Sequence, residues 1–475
     1  MPTSHDHVDL CLIGSGSANS IPDERFDDLS IALIEGGTFG GTCLNVGCIP
    51  TKMYVHPADL AQAPGHAAGL GVDLSLDRVR WTDIRDRIFG RIDTISAAGL
   101  RYRQQSRNLT VHSQHARFVA DRRLRLDDGT EITADRFVIA AGSRVHVPDI
   151  EGLADVDFHT SDTVMRLSDL PSTMIIVGGG YVAAEFAHVF SALGTDVTLV
   201  VRGEGLLRHE DVDVAAAFTE AMGSRVDLRL RHQVERLSRS VEGGVTLAAR
   251  SADGDPVTLT AEVLLLATGR LSNADTLEVQ QTGVVVDDAG NVAVDAHQQT
   301  TRPGIFALGD VSSHHQLKHV ANHEARVVQH NLLHPDAMIT ASHRHIPHAV
   351  FSDPQVAAVG LTQQTADDLG VSYVVGRCAY GAVAYGWAMG EGDWHFVKVL
   401  ADPATGRLLG AHLIGPESSS LIQPLIQAMS FDLHAEEFAR GQYWIHPALA
   451  EVVENAVLNL PLQHRWPGDS APSSP

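Results

Sequence analysis

The sequence predicts an α/β protein built from two Rossmann-like dinucleotide-binding units and a C-terminal α+β domain. Three observations predict it. An ordered run of strand, glycine turn, helix and strand occurs twice, which is far more specific than one glycine motif alone. From Ile346 onward the pattern changes to alternating apolar strands followed by helices. The chain has 475 residues, of which 44% are hydrophobic and 42 are glycine. That is length enough for about three domains, each with its own core.

The first unit starts with an apolar strand, Val8 to Ile13, and a turn, Gly14-Ser15-Gly16-Ser17-Ala18-Asn19. A helical stretch and a second strand, Ser30 to Ile34, follow, and the strand ends at Glu35. Glycines at Gly14 and Gly16, with Ser17 beside them, let the backbone approach a pyrophosphate where free N–H groups and the helix dipole favour negative charge. Glu35 suits ribose hydroxyls as an acceptor and would repel a phosphate, so this unit is expected to take FAD or NAD.

The second unit runs from Met174 to Val177, through Gly178-Gly179-Gly180-Tyr181-Val182-Ala183-Ala184-Glu185 and a helix, to the strand Asp196 to Val201. Where the first unit has its acid, this one has Arg202, followed by Arg208. Two guanidiniums suit a ribose 2′-phosphate, which favours NADPH over NADH; the plainer alternative is a pair of surface arginines.

Two apolar strands close the first nucleotide domain. Phe137 to Gly142 is one, and Gly304 to Asp310 is the other; Asp310 is placed either to accept from a ribityl hydroxyl or to cap a helix. Leu264 to Arg270 marks the exit from the second nucleotide domain, with Gly269 in its turn. The expected division is residues 1–150 with 271–345 for FAD, 151–270 for NADPH, 346–465 for an interface domain, and a Pro/Ser-rich disordered tail at 466–475.

Two of only four cysteines, Cys43 and Cys48, sit five positions apart in a glycine-rich turn. A buried thiol pair or half of a zinc site would also give this spacing, yet no second cysteine pair or nearby histidine completes a metal site, and no metal is expected. A disulfide across so short a loop constrains little of the unfolded chain, so chemistry is its expected use. Cys11 and Cys378 stand alone in surroundings where a small apolar side chain would serve.

The formal net charge of −23 disfavours nucleic acid and anionic membranes as partners. The N-terminus lacks the basic and apolar pattern of a secretion signal, and no apolar run is long enough to span a bilayer. A cytoplasmic protein acting on a small molecule is expected, and in that compartment a disulfide is more often catalytic than structural.

Taken together, GGTCLNVGCIPTK (Gly40 to Lys52), GGGYVAAE, LLLATGR, GIFALGD, FSDPQVAAVG and His446-Pro447-Ala448-Leu449-Ala450-Glu451 resemble the pyridine nucleotide–disulfide oxidoreductases of the glutathione reductase and dihydrolipoamide dehydrogenase type across nearly the whole chain. Within that family the turn GSGSANSIPDERF and the stretches HTSDTVMRL, EFAHVFSALG, LKHVANHEARVVQHNLL and GQYWIHPALAEVVENAVL resemble the subgroup that reduces the disulfide of mycothiol. The resemblance implies FAD and NADPH as cofactors and a homodimer as the working unit. It also implies that Cys48 is the flavin-side sulfur and Cys43 the outer sulfur that attacks substrate. His446 is implied as the acid and base, reaching the pair of the partner subunit, with Glu451 orienting its ring; otherwise His446 caps a helix. Tyr181 resembles the ring that covers the flavin, and is otherwise a packed helix-start aromatic. Glu185 resembles the partner of the flavin lysine, Lys52. Gly41, Thr42, Ala116, Gly142 and Val182 complete the expected cofactor contacts.

Three departures from the family pattern stand out. Asn19 replaces a glycine, and Pro22-Asp23-Glu24 interrupts the first helix. Lys318-His319 replaces Thr-Pro, so that backbone alone is expected to meet the flavin there. Lys52 lies four residues after Cys48, where glutathione reductases have a lysine three after, here Thr51. Residues 19 to 26 are expected to offer polar groups near the disulfide. Competing readings are a dihydrolipoamide dehydrogenase, which calls for an acid at Arg202, and a non-catalytic flavin-binding subunit.

Overall fold

The computed structural model describes residues 5–241 and 243–462, so the tail expected to be disordered lies outside the described residues. Apolar β-branched runs flanked by glycine form its central strands, buried on both faces as parallel sheets require. His5–Ile13 pairs in parallel with Ile31–Ile34 on one side and with Glu131–Ile139 on the other. Leu109–His112 extends the sheet at the Ile31–Ile34 edge. On its other edge the nine-residue strand Glu131–Ile139 carries two further partners. Its start takes Arg123–Leu126 antiparallel, and its end takes Ile305–Ala307 in parallel. That second pairing brings the GIFALGD segment back to the first sheet from more than 160 positions away.

Between the turn and Ile31 no regular helix forms. Two short 3₁₀ turns, Ser17–Ser20 and Glu24–Phe26, stand there instead. Pro22 lacks the N–H a helix needs, and Asp23 caps the second turn through Arg25 N. Arg103, from the helix Trp81–Gln104, donates to the Asn19 carbonyl, to Asn19 Oδ1 and to the Pro22 carbonyl. The segment that departs from the usual pattern is thus fixed by an arginine from another element.

The second unit is a four-stranded parallel sheet, in the order Asp227–Arg229, Asp196–Val200, Thr173–Val177 and Val263–Leu266. An antiparallel meander, His232–Arg239, Val245–Ser251 and Pro256–Ala261, lies beside it. The third unit is a five-stranded antiparallel sheet around Leu408–Ile414 and Phe396–Ala401, with the latter strand buried along its whole length. Helices Gln423–Ser430, Ala435–Arg440 and Ala450–Leu458 share its apolar core.

A buried ion pair joins the second and third units. Lys398 Nζ, on Phe396–Ala401, lies 2.7 Å from both Asp211 Oδ1 and Asp213 Oδ2, with Gln363 Oε1 as a third acceptor. The ammonium is fully surrounded, so its satisfaction depends on the two units keeping their relative position.

Candidate active site

A cleft of about 1680 Å³ opens where the three units meet. It is larger than a pocket for one drug-sized molecule, and of a size for two nucleotides. Cys43, Cys48 and every residue named above as a cofactor contact line it, from Gly14 and Glu35 to Arg208 and Gly269.

The first glycine turn is shaped for close backbone approach. Gly14 has φ +106°, and a Cβ there would lie 2.2 Å from the Ala140 carbonyl oxygen. A Cβ on Gly41 would lie 2.8 Å from Gly16 Cα, so the two glycine-rich segments touch. Glu35 holds this cradle in shape. Its Oε2 accepts from Ser15 N at 2.9 Å and Ser15 Oγ at 2.5 Å, and its Oε1 accepts from Gly37 N at 2.8 Å. Oε2 thus has both lone pairs taken, while Oε1 retains one for a further donor.

The cysteine turn follows directly. Gly40 and Gly41 both adopt positive φ, which lets the helix Gly41–Asn45 begin abruptly. Buried Asn45 rivets the turn by donating to the carbonyls of Thr38, Phe39 and Gly41. Cys48 is the first residue of the 22-residue helix Cys48–Gly69. Both cysteines are free thiols in this structure. A hydrogen bond from Cys43 and the Lys52 ammonium, working against burial, lower the Cys48 thiol to about 7. The same hydrogen bond, together with burial, pushes Cys43 up. The two sulfurs are therefore unequal before any substrate arrives, with the charge at the helix N-terminus.

Lys52 is the lysine that enters the site. Its Nζ lies 2.7 Å from both oxygens of buried Glu185, 133 positions away, and 4.7 Å over the Phe351 ring. Glu185 Oε1 also accepts from Phe351 N at 3.0 Å. Thr51 instead turns its hydroxyl to the Gly47 carbonyl at 2.7 Å.

The second glycine turn repeats the first in shape. Gly178 has φ +142°, and a Cβ there would lie 2.2 Å from the Ala267 carbonyl oxygen. Tyr181 opens the helix Tyr181–Leu193 and presents its half-exposed ring to the cleft. Arg202 and Arg208 follow the strand Asp196–Val200, exposed at the cleft rim. The turns are cradles that any side chain would fill, which fits nucleotide phosphates at both ends of the cleft.

Asp310 caps no helix; its Oδ2 accepts from Ser143 Oγ at 2.7 Å. Sequence reasoning missed the next link. Arg270 donates to Ser143 Oγ and to the Ser143 carbonyl, both at 2.7 Å, tying the exit of the second unit to the first. Its only signal was its place at the end of LLLATGR.

At the position where backbone was expected to meet the flavin, the Lys318 side chain also lines the cleft and donates to Ser17 Oγ at 2.9 Å. One expectation is corrected. Residues 19 to 26 do not line the cleft. Asn19 is held by Arg103, and Asp23 by Arg25 and Gln329.

His446 and Glu451 form a separate dyad, with Nδ1 2.7 Å from Oε1, while Glu451 Oε2 accepts from Ala448 N. The hydrogen bond from His446 holds the Glu451 carboxyl below its usual range. The imidazole is 72% exposed and does not line the cleft of its own chain. Among the described residues no group of three His, Cys, Asp or Glu side chains is placed to hold a metal ion, and no helix is long and apolar enough to cross a membrane.

Comparison with known proteins is consistent along the chain. The family model of the pyridine nucleotide-disulphide oxidoreductases matches residues 8–325, and that of their dimerisation domain matches residues 346–457. Mycothione reductase of Mycobacterium tuberculosis is 54% identical over 464 residues, covering 95% of this chain and 99% of that one. Dihydrolipoyl dehydrogenase of Halobacterium salinarum is 30% identical, covering 94% of this chain and 95% of its own. Among solved structures, the HOCl-induced flavoprotein disulfide reductase RclA from Escherichia coli superposes with a TM-score of 0.82 at 26% identity, over 95% of this chain and 99% of that one.

Proposed function

Because the chain belongs to the pyridine nucleotide-disulphide oxidoreductases, we propose that it is a cytoplasmic, homodimeric, FAD-containing enzyme that uses NADPH to reduce mycothione, the disulfide of mycothiol. The observation that carries this reading is the unequal thiol pair on the floor of a cleft with a phosphate cradle at either end. Residues 1–150 with 271–345 are assigned to FAD, 151–270 to NADPH and 346–465 to the subunit interface.

FAD, when bound, relays two electrons from the nicotinamide to the cysteine pair. Gly14, Gly16 and Ser17 present backbone to its diphosphate, Glu35 accepts from its adenosine ribose, and Asp310 accepts from its ribityl chain. Arg202 and Arg208 bind the 2′-phosphate of NADPH, and Tyr181 covers the nicotinamide site until the ring enters. Cys43 attacks one sulfur of mycothione, forming a mixed disulfide and releasing one thiolate. His446 of the partner subunit takes the Cys43 proton and gives it to that leaving thiolate, its ring oriented by Glu451. Cys48, as its thiolate, attacks Cys43 Sγ and closes the Cys43–Cys48 disulfide, releasing the second mycothiol as a thiolate that takes up from solvent a proton equivalent to the one Cys48 lost. The wide exposure of His446 and its absence from its own cleft support a site completed across a dimer.

The test is NADPH oxidation by the purified protein with mycothione, glutathione disulfide and lipoamide in parallel, and NADH as control donor. Selective turnover of mycothione with NADPH is expected. Turnover of lipoamide with NADH would make it a dihydrolipoamide dehydrogenase, and bound flavin without disulfide turnover would make it a non-catalytic subunit.

A further inference from the structure

Lys318 is the first residue of the 16-residue helix Lys318–Leu333, and Asn322 lies one turn further on the same face. Between them sits Ser17, the residue that follows the second glycine of the first turn. Lys318 Nζ donates to Ser17 Oγ at 2.9 Å, and Ser17 Oγ donates to Asn322 Oδ1 at 3.0 Å. This relay fixes the direction of the ammonium and leaves two of its three N–H bonds free for another acceptor. The neighbouring backbone leaves no room for a side chain: Gly14 abuts Ala140, and Gly41 abuts Gly16. Of the lysines and arginines that line the cleft, Lys52 is engaged by Glu185, Arg270 by Ser143, and Arg202 and Arg208 stand beyond the second glycine turn. Lys318 is the cation bonded to the first.

We propose that Lys318 is the counter-ion of the FAD diphosphate: a charged side chain that supplements a cradle otherwise made of backbone N–H groups and a helix N-terminus. A backbone cradle offers partial charges only, whereas an ammonium adds a full one and a charge-assisted hydrogen bond. The helix Lys318–Leu333 has its N-terminus at Lys318, so the positive end of its dipole has the same sign as the ammonium. The inference rests on the assignment of FAD to the first glycine turn. The Lys318 charge also favours the Cys43 thiolate, against the larger effects that push that thiol up, but the proposal gives Lys318 no bond-making part in the chemistry of Cys43, Cys48 and His446.

The experiment follows FAD leaving the purified holoenzyme, read as the rise of free-flavin fluorescence after dilution, across a series of KCl concentrations. Lys318→Met is expected to release FAD about ten-fold faster, the worth of one hydrogen bond to a charged group. It should also show a shallower dependence on salt, because one charge pair has been removed. Lys318→Arg should recover most of the retention, and Ser17→Ala, which frees the lysine without discharging it, should lose less than Lys318→Met. Release from Lys318→Met at the wild-type rate and salt slope would overturn the proposal. So would normal retention joined to a shifted pH profile of Cys43 alkylation, which would place the ammonium with the sulfurs instead. Should Lys318→Met fail to fold, the ordering of Ser17→Ala and Lys318→Arg against wild type decides the question. A wild-type protein that purifies without flavin would defeat the FAD assignment itself, a result separate from any ranking of the variants.

Discussion

Charge balance around Cys48 can be tested with two substitutions of opposite sign. Lys52 lowers the Cys48 thiol and Glu185 raises it, and the two side chains are bonded to each other at 2.7 Å. With the thiol at about 7, roughly half of Cys48 is thiolate at neutral pH. Lys52→Met removes the attraction and leaves the carboxylate's repulsion unopposed. A rise of about one unit, equivalent to about 1.4 kcal/mol, would leave about a tenth as thiolate at pH 7. Glu185→Gln removes the repulsion while its amide oxygen still accepts from Phe351 N, so the thiol should fall. The assay is the pH dependence of iodoacetamide alkylation at Cys48 in the reduced enzyme, quantified by mass spectrometry of the peptide. Lys52→Met should react about five-fold more slowly at pH 7 and converge on wild type above about pH 9, because only the thiolate is nucleophilic. Glu185→Gln should react faster at pH 6. Profiles that move in the same direction for both variants, or do not move, would refute the argument that this ion pair tunes the sulfur.

His446→Ala should lower kcat for disulfide reduction by about 10²- to 10⁴-fold while hydride entry from NADPH, followed by flavin bleaching in a stopped-flow instrument, stays near wild type. Glu451→Gln keeps an oxygen for His446 Nδ1 but loses the charge that favours a protonated ring during proton transfer, so kcat for disulfide reduction should fall while flavin bleaching by NADPH stays near wild type. Arg202→Ala with Arg208→Ala should raise KM for NADPH by more than about ten-fold and leave KM for NADH within about two-fold, since each guanidinium acts on the 2′-phosphate. Gly14→Ala puts a Cβ 2.2 Å from the Ala140 carbonyl at φ +106°, so purified protein should carry little flavin by absorbance at 450 nm.

The cysteine turn, the two glycine turns, Glu35 and the arginines after the second unit are legible because each acts through neighbours close in sequence. A strand, a turn and a helix start must follow one another for a phosphate cradle to exist, and the residue types report that order. The extent of two long helices, Cys48–Gly69 and Trp81–Gln104, was not legible. Cys48–Gly69 contains Pro57 and Pro64, which read locally as interruptions, yet the helix continues; around Pro57, packing through Tyr54, Val55 and Ala58 outweighs the lost backbone bond. The meander from His232 to Ala261 was missed because its two outer strands bury only one residue each and offer little apolar surface.

The sequence by itself determined the chemistry on offer: a redox-capable cysteine pair, two dinucleotide cradles, two arginines after the second of them, and a histidine five residues before a glutamate. Only the tertiary structure decided which groups meet. Lys52 rather than its neighbour faces Glu185, Arg270 ties Ser143 to the second unit, Arg103 holds the interrupted turn at Asn19, and Lys318 returns across 301 positions to Ser17. Each of these contacts depends on the path of the backbone through three units, and hydrogen bonds and charges act over a few ångströms of space whatever the separation along the chain.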